Sequence, residues 1–347
     1  MNIQKIFSGT IDLNQTYHGW PTVAITRTGE LLAVCSGNRV AHVCPFGRTF
    51  FYRSADGGKT WTGPEVLSNG PLDDRDAGIC VAADDSLLVN YFTSTFAFQP
   101  GLCQPEWEEI AKGITPEILA AEHGLWMRRS TDNGKTWSGK YHTPVNNPHG
   151  PVLLKSGRLF MPGKLYADDC SETAMMLSEM GAAISDDNGV TWQVISQIPA
   201  PAEHESANCH ELHAVEAYDG RIIVQIRDET HNPHTCTWQT ESGDGGLTWS
   251  EPHKICNGFP SHLIRFGGNK LLMVYGWRKE PDYGIRAMVS EDSGRTWGDE
   301  LILYREGLNR DLGYPSSVEM PDGSLFTLWY ENNGKTSCLN YCNWKIS

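Results

Sequence analysis

Six short segments of this chain open an apolar strand with groups that can bind, protonate or attack. They read HGWPTV (18–23), DRDAGI (74–79), HGPVLL (149–154), HELHAVEA (210–217), FPSHLI (259–264) and GYPSSV (313–318). Together they supply His18, Arg75, Asp76, His149, His210, Glu211, His213, His262 and Tyr314. A strand that only packs opens with apolar residues, and polar groups are costly to bury without a purpose. Glu211 and Asp76 form a candidate carboxylate pair, the equipment of acid–base chemistry. Any one of the histidines, taken alone, is equally a hydrogen-bonded interior residue. Convergence of all these groups on one concavity is what would make a site.

The elements that would bring them together are read from repeats. Five copies of S-x-D-x-G-x-T-W occur: SADGGKTW (54–61), STDNGKTW (130–137), SDDNGVTW (185–192), SGDGGLTW (242–249) and SEDSGRTW (290–297). Each is a hairpin turn in which Asp accepts backbone N–H bonds, Gly supplies the positive φ, and Thr-Trp returns to a strand with the indole over the hairpin. Six further hairpins, centred near 29, 85, 157, 220, 268 and 323, alternate with these loops. Each unit then holds four strands, and repeating it radially predicts an all-β, six-bladed propeller of four-stranded antiparallel blades. The chain is one such domain over 1–347. Residues 3–8 complete the last blade beside the final strand, TSCLNYCNWKI. In a propeller the first strand of each blade lines the central channel, so the six polar openings face one funnel. The first two loops start 76 residues apart, against 48 to 57 for the others. The excess, 94–124, reads as a small helical insertion in blade 2, at the rim and packed on the propeller.

Composition narrows the partners. With 28 basic against 42 acidic residues and a net charge of −14, a nucleic-acid or anionic-membrane binder is disfavoured, because both need a basic footprint. No apolar run approaches the roughly 20 residues of a membrane span. The start, MNIQKIFSGTIDLNQ, has no signal-peptide core, so the expectation is a cytoplasmic protein, or a secreted or periplasmic one if a leader was trimmed. Ten cysteines without a CxxC pair read as free thiols in a reducing compartment. No metal or cofactor is implied.

The octapeptide is the Asp-box, and a six-bladed propeller carrying it resembles the sialidase (neuraminidase) superfamily. HELHAVEAYDGRIIVQIR (210–227) resembles the family segment in which Glu211 would be the glutamate working with the catalytic tyrosine and Arg227 one of three carboxylate-binding arginines. DLGYPSSVEMPDGSLFTLWYE (311–331) resembles the segment carrying the nucleophile, here Tyr314. Its Glu331 falls where a glutamate steadies the first arginine. YGWRKEPDYGIRAMVSEDSGRTW (275–297) resembles the strand bearing another arginine of the trio, with Arg278 and Arg286 both candidates.

Two family positions differ. Where the resemblance calls for R-I-P there is Gly19-Trp20-Pro21, so the central arginine is missing and Trp20 offers an aromatic platform instead. Where it calls for the acid/base aspartate, residues 35–53 hold no Asp or Glu, and His42 or Arg39 would fill the space. The proton-donor role then falls to Asp76, with His42 and His149 behind it.

The resemblance implies an exo-acting glycoside hydrolase for a terminal sialic acid, a related acidic sugar or a neutral sugar, acting on a glycan. A tyrosine nucleophile suits an anionic sugar because a carboxylate would repel it. Arg75, Arg227, Arg278, Arg286, His18, His149, His213, His262 and Trp20 are the candidate substrate contacts. The alternative is a carbohydrate-binding Asp-box propeller without catalysis.

Overall fold

The octapeptide loops fold alike because the same side chains satisfy the same backbone groups. In the first, the Ser54 hydroxyl donates to Asp56 (2.8 Å) and accepts from Gly58 N–H (2.8 Å), while Asp56 accepts from Thr60 N–H (2.9 Å) and the Thr60 hydroxyl (2.7 Å). Asp132, Asp187, Asp244 and Asp292 likewise each accept the backbone N–H four residues on at 2.9 Å. The tryptophans reach further than their own hairpins. Trp137 packs 5.5 Å from Phe51, Trp249 6.1 Å from Phe160 and Trp61 5.9 Å from Phe326, each ring pair joining neighbouring blades.

The computed structural model describes residues 1–11, 16–165, 179–202, 204–229, 235–334 and 336–347. Each octapeptide loop joins the third and fourth strands of an antiparallel sheet, and six such sheets form the propeller. Their innermost strands are Tyr17–Ile25, Asp73–Val81, the broken pair Val145–Asn146 and Val152–Leu153, Cys209–Glu216, Ser261–Phe266 and Leu312–Glu319. The last blade takes its outer strand, Ile3–Ile11, from the other end of the chain, paired with Ser337–Ile346. This strap is three residues longer than the sequence suggests and closes the ring. Apolar clusters sit between blades; Leu32, Val34 and Phe51 of the first meet Ile79, Val89, Tyr91 and Trp126 of the second.

The insertion in blade 2 contains two short helices, Glu108–Gly113 and Pro116–Glu122, the second capped by Thr115 with Pro116 at its first position. Trp107 and Ala97 are buried against Cys44, with Val43 and Ile110 alongside. Nine cysteines are free among the described residues, and Cys170 lies outside them. No helix among the described residues is long and apolar enough to cross a membrane.

Candidate active site

Four innermost strands break register at the same place, between Gly19 and Thr22, Arg75 and Gly78, His210 and His213, and Gly313 and Ser316. Inside each break one bulky residue adopts left-handed backbone: Trp20 (φ 55°), Asp76 (48°), Glu211 (53°) and Tyr314 (47°). That conformation costs about 1–3 kcal/mol for each non-glycine residue and persists where its surroundings enforce it, typically at functional sites. The bulges turn these four side chains toward one cavity of about 460 Å³, within the roughly 300–1,000 Å³ of small-molecule sites. Arg75, Arg227 and Arg278 line the same cavity.

At its floor the Tyr314 hydroxyl donates to Glu211, and Arg227 donates to Glu211, to Glu229 and, at 3.0 Å, to the Tyr314 oxygen. His210 adds contacts to Glu229 (3.2 Å) and Glu211 (3.5 Å). Burial alone would raise the Glu211 carboxyl, but Arg227 and His210 hold it well below the usual carboxylate range. Burial and the Glu211 charge push the Tyr314 phenol well above 10. At rest the pair is therefore a neutral phenol bonded to a carboxylate, with a guanidinium against both.

Burial raises the Asp76 carboxyl to about 6, with Glu211 adding to the rise and Arg75 opposing it. The folded-state value exceeds the ordinary 3.8, so ionised Asp76 costs stability: nothing below about pH 4, and up to about 3 kcal/mol above pH 6. Asp76→Asn should therefore unfold at a higher temperature than the parent at pH 8 and at the same temperature near pH 4. An equal difference at both pH values, read by thermal unfolding, would contradict the buried-carboxylate account.

Several sequence candidates lie elsewhere. His149, His213 and His262 are buried beneath the floor, lining a second cavity that opens along the opposite end of the channel. The His213 and His262 rings stack at 4.0 Å, and His149 lies 6.1 Å from the Tyr314 ring. His213 follows the bulge at Glu211, whereas His149 and His262 belong to the two blades outside those four register breaks, and all three rings face the second cavity instead of the funnel. His18 is fully buried beside Phe50 (5.7 Å), and the Ser337 hydroxyl accepts from its backbone N–H and donates to its carbonyl. Arg286 sits on a third strand, away from the axis, with its guanidinium spent on the carbonyls of Tyr304 (2.8 Å) and Asp282 (3.1 Å) and on Glu300 (3.3 Å). Arg278 is thus the blade 5 arginine at the cavity. Trp20 lines the cavity but is only 1% exposed, because Arg75 stacks on its ring at 4.3 Å and Arg39 approaches at 4.9 Å. It supports a guanidinium and is not an open platform. Glu331 bonds Tyr304 (3.1 Å) and Asn340 (3.0 Å) and is not among the residues lining the cavity.

The structure also adds residues. Lys164, Ser94 and Glu229 line the cavity, and Asp311 stands behind it. Antiparallel pairing sets the end of each second strand opposite the opening of the first, as with Arg227 opposite His210 and Ser94 opposite Asp73. Reading second-strand ends as well as first-strand openings would have found Ser94, Lys164 and Glu229. From the insertion, Phe96 joins the cavity wall.

A six-bladed Asp-box propeller with tyrosine, glutamate and arginine in contact at its funnel floor defines a sialidase-like protein. The family described as a BNR repeat-like domain matches residues 111–327, more than half of the chain, and the chain belongs to it. A sialidase of Micromonospora viridifaciens is 24% identical over 353 residues, covering 94% of this chain and 51% of the relative. One of Bacteroides fragilis is 25% identical over 305 residues, covering 81% and 53%. The chain spans about half the length of these curated relatives. Among solved structures, a Dyadobacter fermentans protein described as of unknown function superposes with a TM-score of 0.82 at 23% identity over the full length of both chains. A Hadza microbial sialidase gives 0.67 at 18% identity, covering 95% of this chain and 66% of that one. At these identities the solved structures establish a shared fold.

Proposed function

We propose that this protein is an exo-acting glycoside hydrolase that releases a terminal sugar from a glycan, with residues 1–347 as one catalytic unit. The observation that carries this reading is the contact of Tyr314 with ionised Glu211 beside Arg227. As the Tyr314 oxygen bonds to the anomeric carbon, its proton passes to Glu211, and Arg227 stabilises the charge developing on the phenolic oxygen. Asp76, on the same floor and largely protonated at mildly acidic pH, donates a hydrogen bond to the bound sugar. An acidic sugar, sialic acid or a relative, is favoured because Arg75 and Arg278 line the cavity, and among the described residues Arg278 bonds neutral oxygens, the Leu312 carbonyl (2.7 Å) and the Tyr330 hydroxyl (3.4 Å).

The test is a panel of 4-nitrophenyl glycosides, an α-sialoside with several neutral pyranosides and furanosides, with the product anomer read by NMR. Cleavage with retention is expected. Arg278→Ala should lower kcat/KM on an anionic substrate about 10-fold to 10²-fold, the loss of one charge-assisted contact of about 1.5–3 kcal/mol. A neutral substrate should lose much less. If nothing is cleaved but a glycan binds, and Glu211→Gln leaves that binding unchanged, the protein is a binding propeller instead.

A further inference from the structure

Proton donation to the leaving group needs a donor above the floor. Tyr314, Glu211 and Asp76 occupy the same bulge position in three blades and so share one level at the bottom of the funnel. In an exo-acting enzyme the leaving group points outward, away from that level. Asp76, only 8% exposed, belongs to that lower level.

His42 stands where the donor is needed. It belongs to the loop joining Leu31–Arg39 to Arg48–Ser54, lines the cavity and has its side chain 47% exposed. The Trp20 ring lies 5.0 Å from the His42 ring and 6.4 Å from that of Tyr314, so one indole separates the imidazole from the nucleophile. His42 Nδ1 is 3.0 Å from Asp311 Oδ1 and 2.9 Å from the Tyr17 hydroxyl. Asp311 also accepts from Tyr17 (2.9 and 3.0 Å), Tyr330 (2.9 Å) and Asn332 (2.9 Å). With the Tyr17 hydrogen committed to Asp311, Nδ1 must carry its own proton toward that carboxylate. This orientation turns Nε2 away from Asp311, and the arrangement is that of an imidazole held by a carboxylate for proton transfer.

We propose that His42, positioned by Asp311, is the general acid and base of the reaction. The inference rests on the reading of Tyr314 as nucleophile. In the first step the Tyr314 oxygen bonds to the anomeric carbon and gives its proton to Glu211. The glycosidic C–O bond breaks, and imidazolium Nε2–H protonates the departing oxygen. In the second step neutral Nε2 takes a proton from water, whose oxygen attacks the anomeric carbon. The Tyr314–sugar bond breaks, and Glu211 returns its proton to the phenolate. Asp311, Tyr17, Tyr330, Arg75, Arg278 and Arg39 surround the ring, Arg75 and Arg39 bonding the His42 carbonyl at 3.3 and 2.9 Å. Partial desolvation of the ring, about half of which stays exposed, and the two cavity arginines lower the imidazole below its ordinary 6.5, against the pull of Asp311.

The experiment compares two glycosides of whichever sugar the wild type cleaves, one with a 4-nitrophenol and one with a methanol leaving group. His42→Ala should lower kcat/KM on the methyl glycoside at least about 10²-fold and on the nitrophenyl glycoside less than about 10-fold, because nitrophenolate departs without a proton. Azide, which needs no base, should raise kcat of the variant. His42→Gln, which keeps a bond to Asp311, should behave as His42→Ala does. In Asp311→Asn the basic limb of kcat/KM should move to lower pH with KM little changed, a shift that a merely structural role for Asp311 would not produce. Equal losses on both substrates, or the leaving-group dependence appearing in Asp76→Asn instead, would overturn the assignment while a dead Tyr314→Phe left the nucleophile standing. A wild type that cleaves no member of the panel overturns both.

Discussion

Tyr314→Phe is expected to lower kcat at least about 10²-fold on the true substrate, with KM changed only a few-fold. The substitution removes one oxygen from the bottom of the cavity and leaves the ring, which packs 6.0 Å from Tyr330 and 6.4 Å from Trp20. Its loss deletes the nucleophile without opening a void, so the effect should fall on the chemical step, the signature of an interaction used in the transition state. Glu211→Gln should fall by at least a similar factor, because an amide holds the phenol in place but cannot take its proton. The two changes together should cost little more than either alone, since both remove one concerted event. Stopped-assay kcat and KM for the three variants test this. A Tyr314→Phe protein within a few-fold of wild type would end the nucleophile assignment.

The repeats were legible because their chemistry is local. Ser, Asp, Gly and Thr of one octapeptide satisfy one another within eight residues, and the same bonds recur wherever the letters recur. Tyr314, Glu211 and Asp76 were legible for a related reason: they open innermost strands, and strand openings face the funnel. The histidines show where that rule stops. His213 stands two residues after Glu211, yet the intervening bulge sends it beneath the floor, and a one-residue change of register reverses the face of every side chain that follows. Nothing in the letters HELH marks the bulge. Trp20 misled for a long-range reason, since its ring is covered by Arg75 from the neighbouring blade. Asp311 gave no signal because its partners Tyr17, His42 and Tyr330 come from three separate segments.

Strain and buried charge collect at the same few positions. Four bulky residues hold left-handed backbone around the cavity, and Asp76 is raised where it could have been replaced by an apolar residue. Trp20 and Tyr314 also pack in the apolar cluster between the first and last blades, and that packing holds the strained floor in place. Variants that relax the floor should therefore gain stability as they lose function.

Arg227 is the exception, because its removal should damage both. The guanidinium is 8% exposed and is shared by Glu211, Glu229 and the Tyr314 oxygen, with the Phe259 ring 5.0 Å from its central carbon. Arg227→Met keeps much of the volume but leaves two carboxylates side by side, with His210 as their remaining cation. Breaking a buried pair by deleting one partner costs about 3–5 kcal/mol, most of it from the charge left behind. The sign with pH follows from the carboxyls. In the wild type Glu211 lies well below 4.5 and Glu229 is held to about 2, where His210 and Arg227 outweigh burial, so their contribution is present above about pH 4.5 and is lost only in strong acid. In the variant both rise, and protonation below about pH 4 relieves their repulsion. Denaturant unfolding should therefore find the full loss at pH 7 and a smaller one at pH 4, where the variant's repulsion is relieved but the wild-type ion pairs still hold. Activity should fall steeply at every pH, since the guanidinium bonded to the phenolic oxygen is gone and Arg278 reaches only the Tyr314 ring, at 5.4 Å. A pH-independent stability loss would mean that Arg227 acts by packing on Phe259 and not by charge.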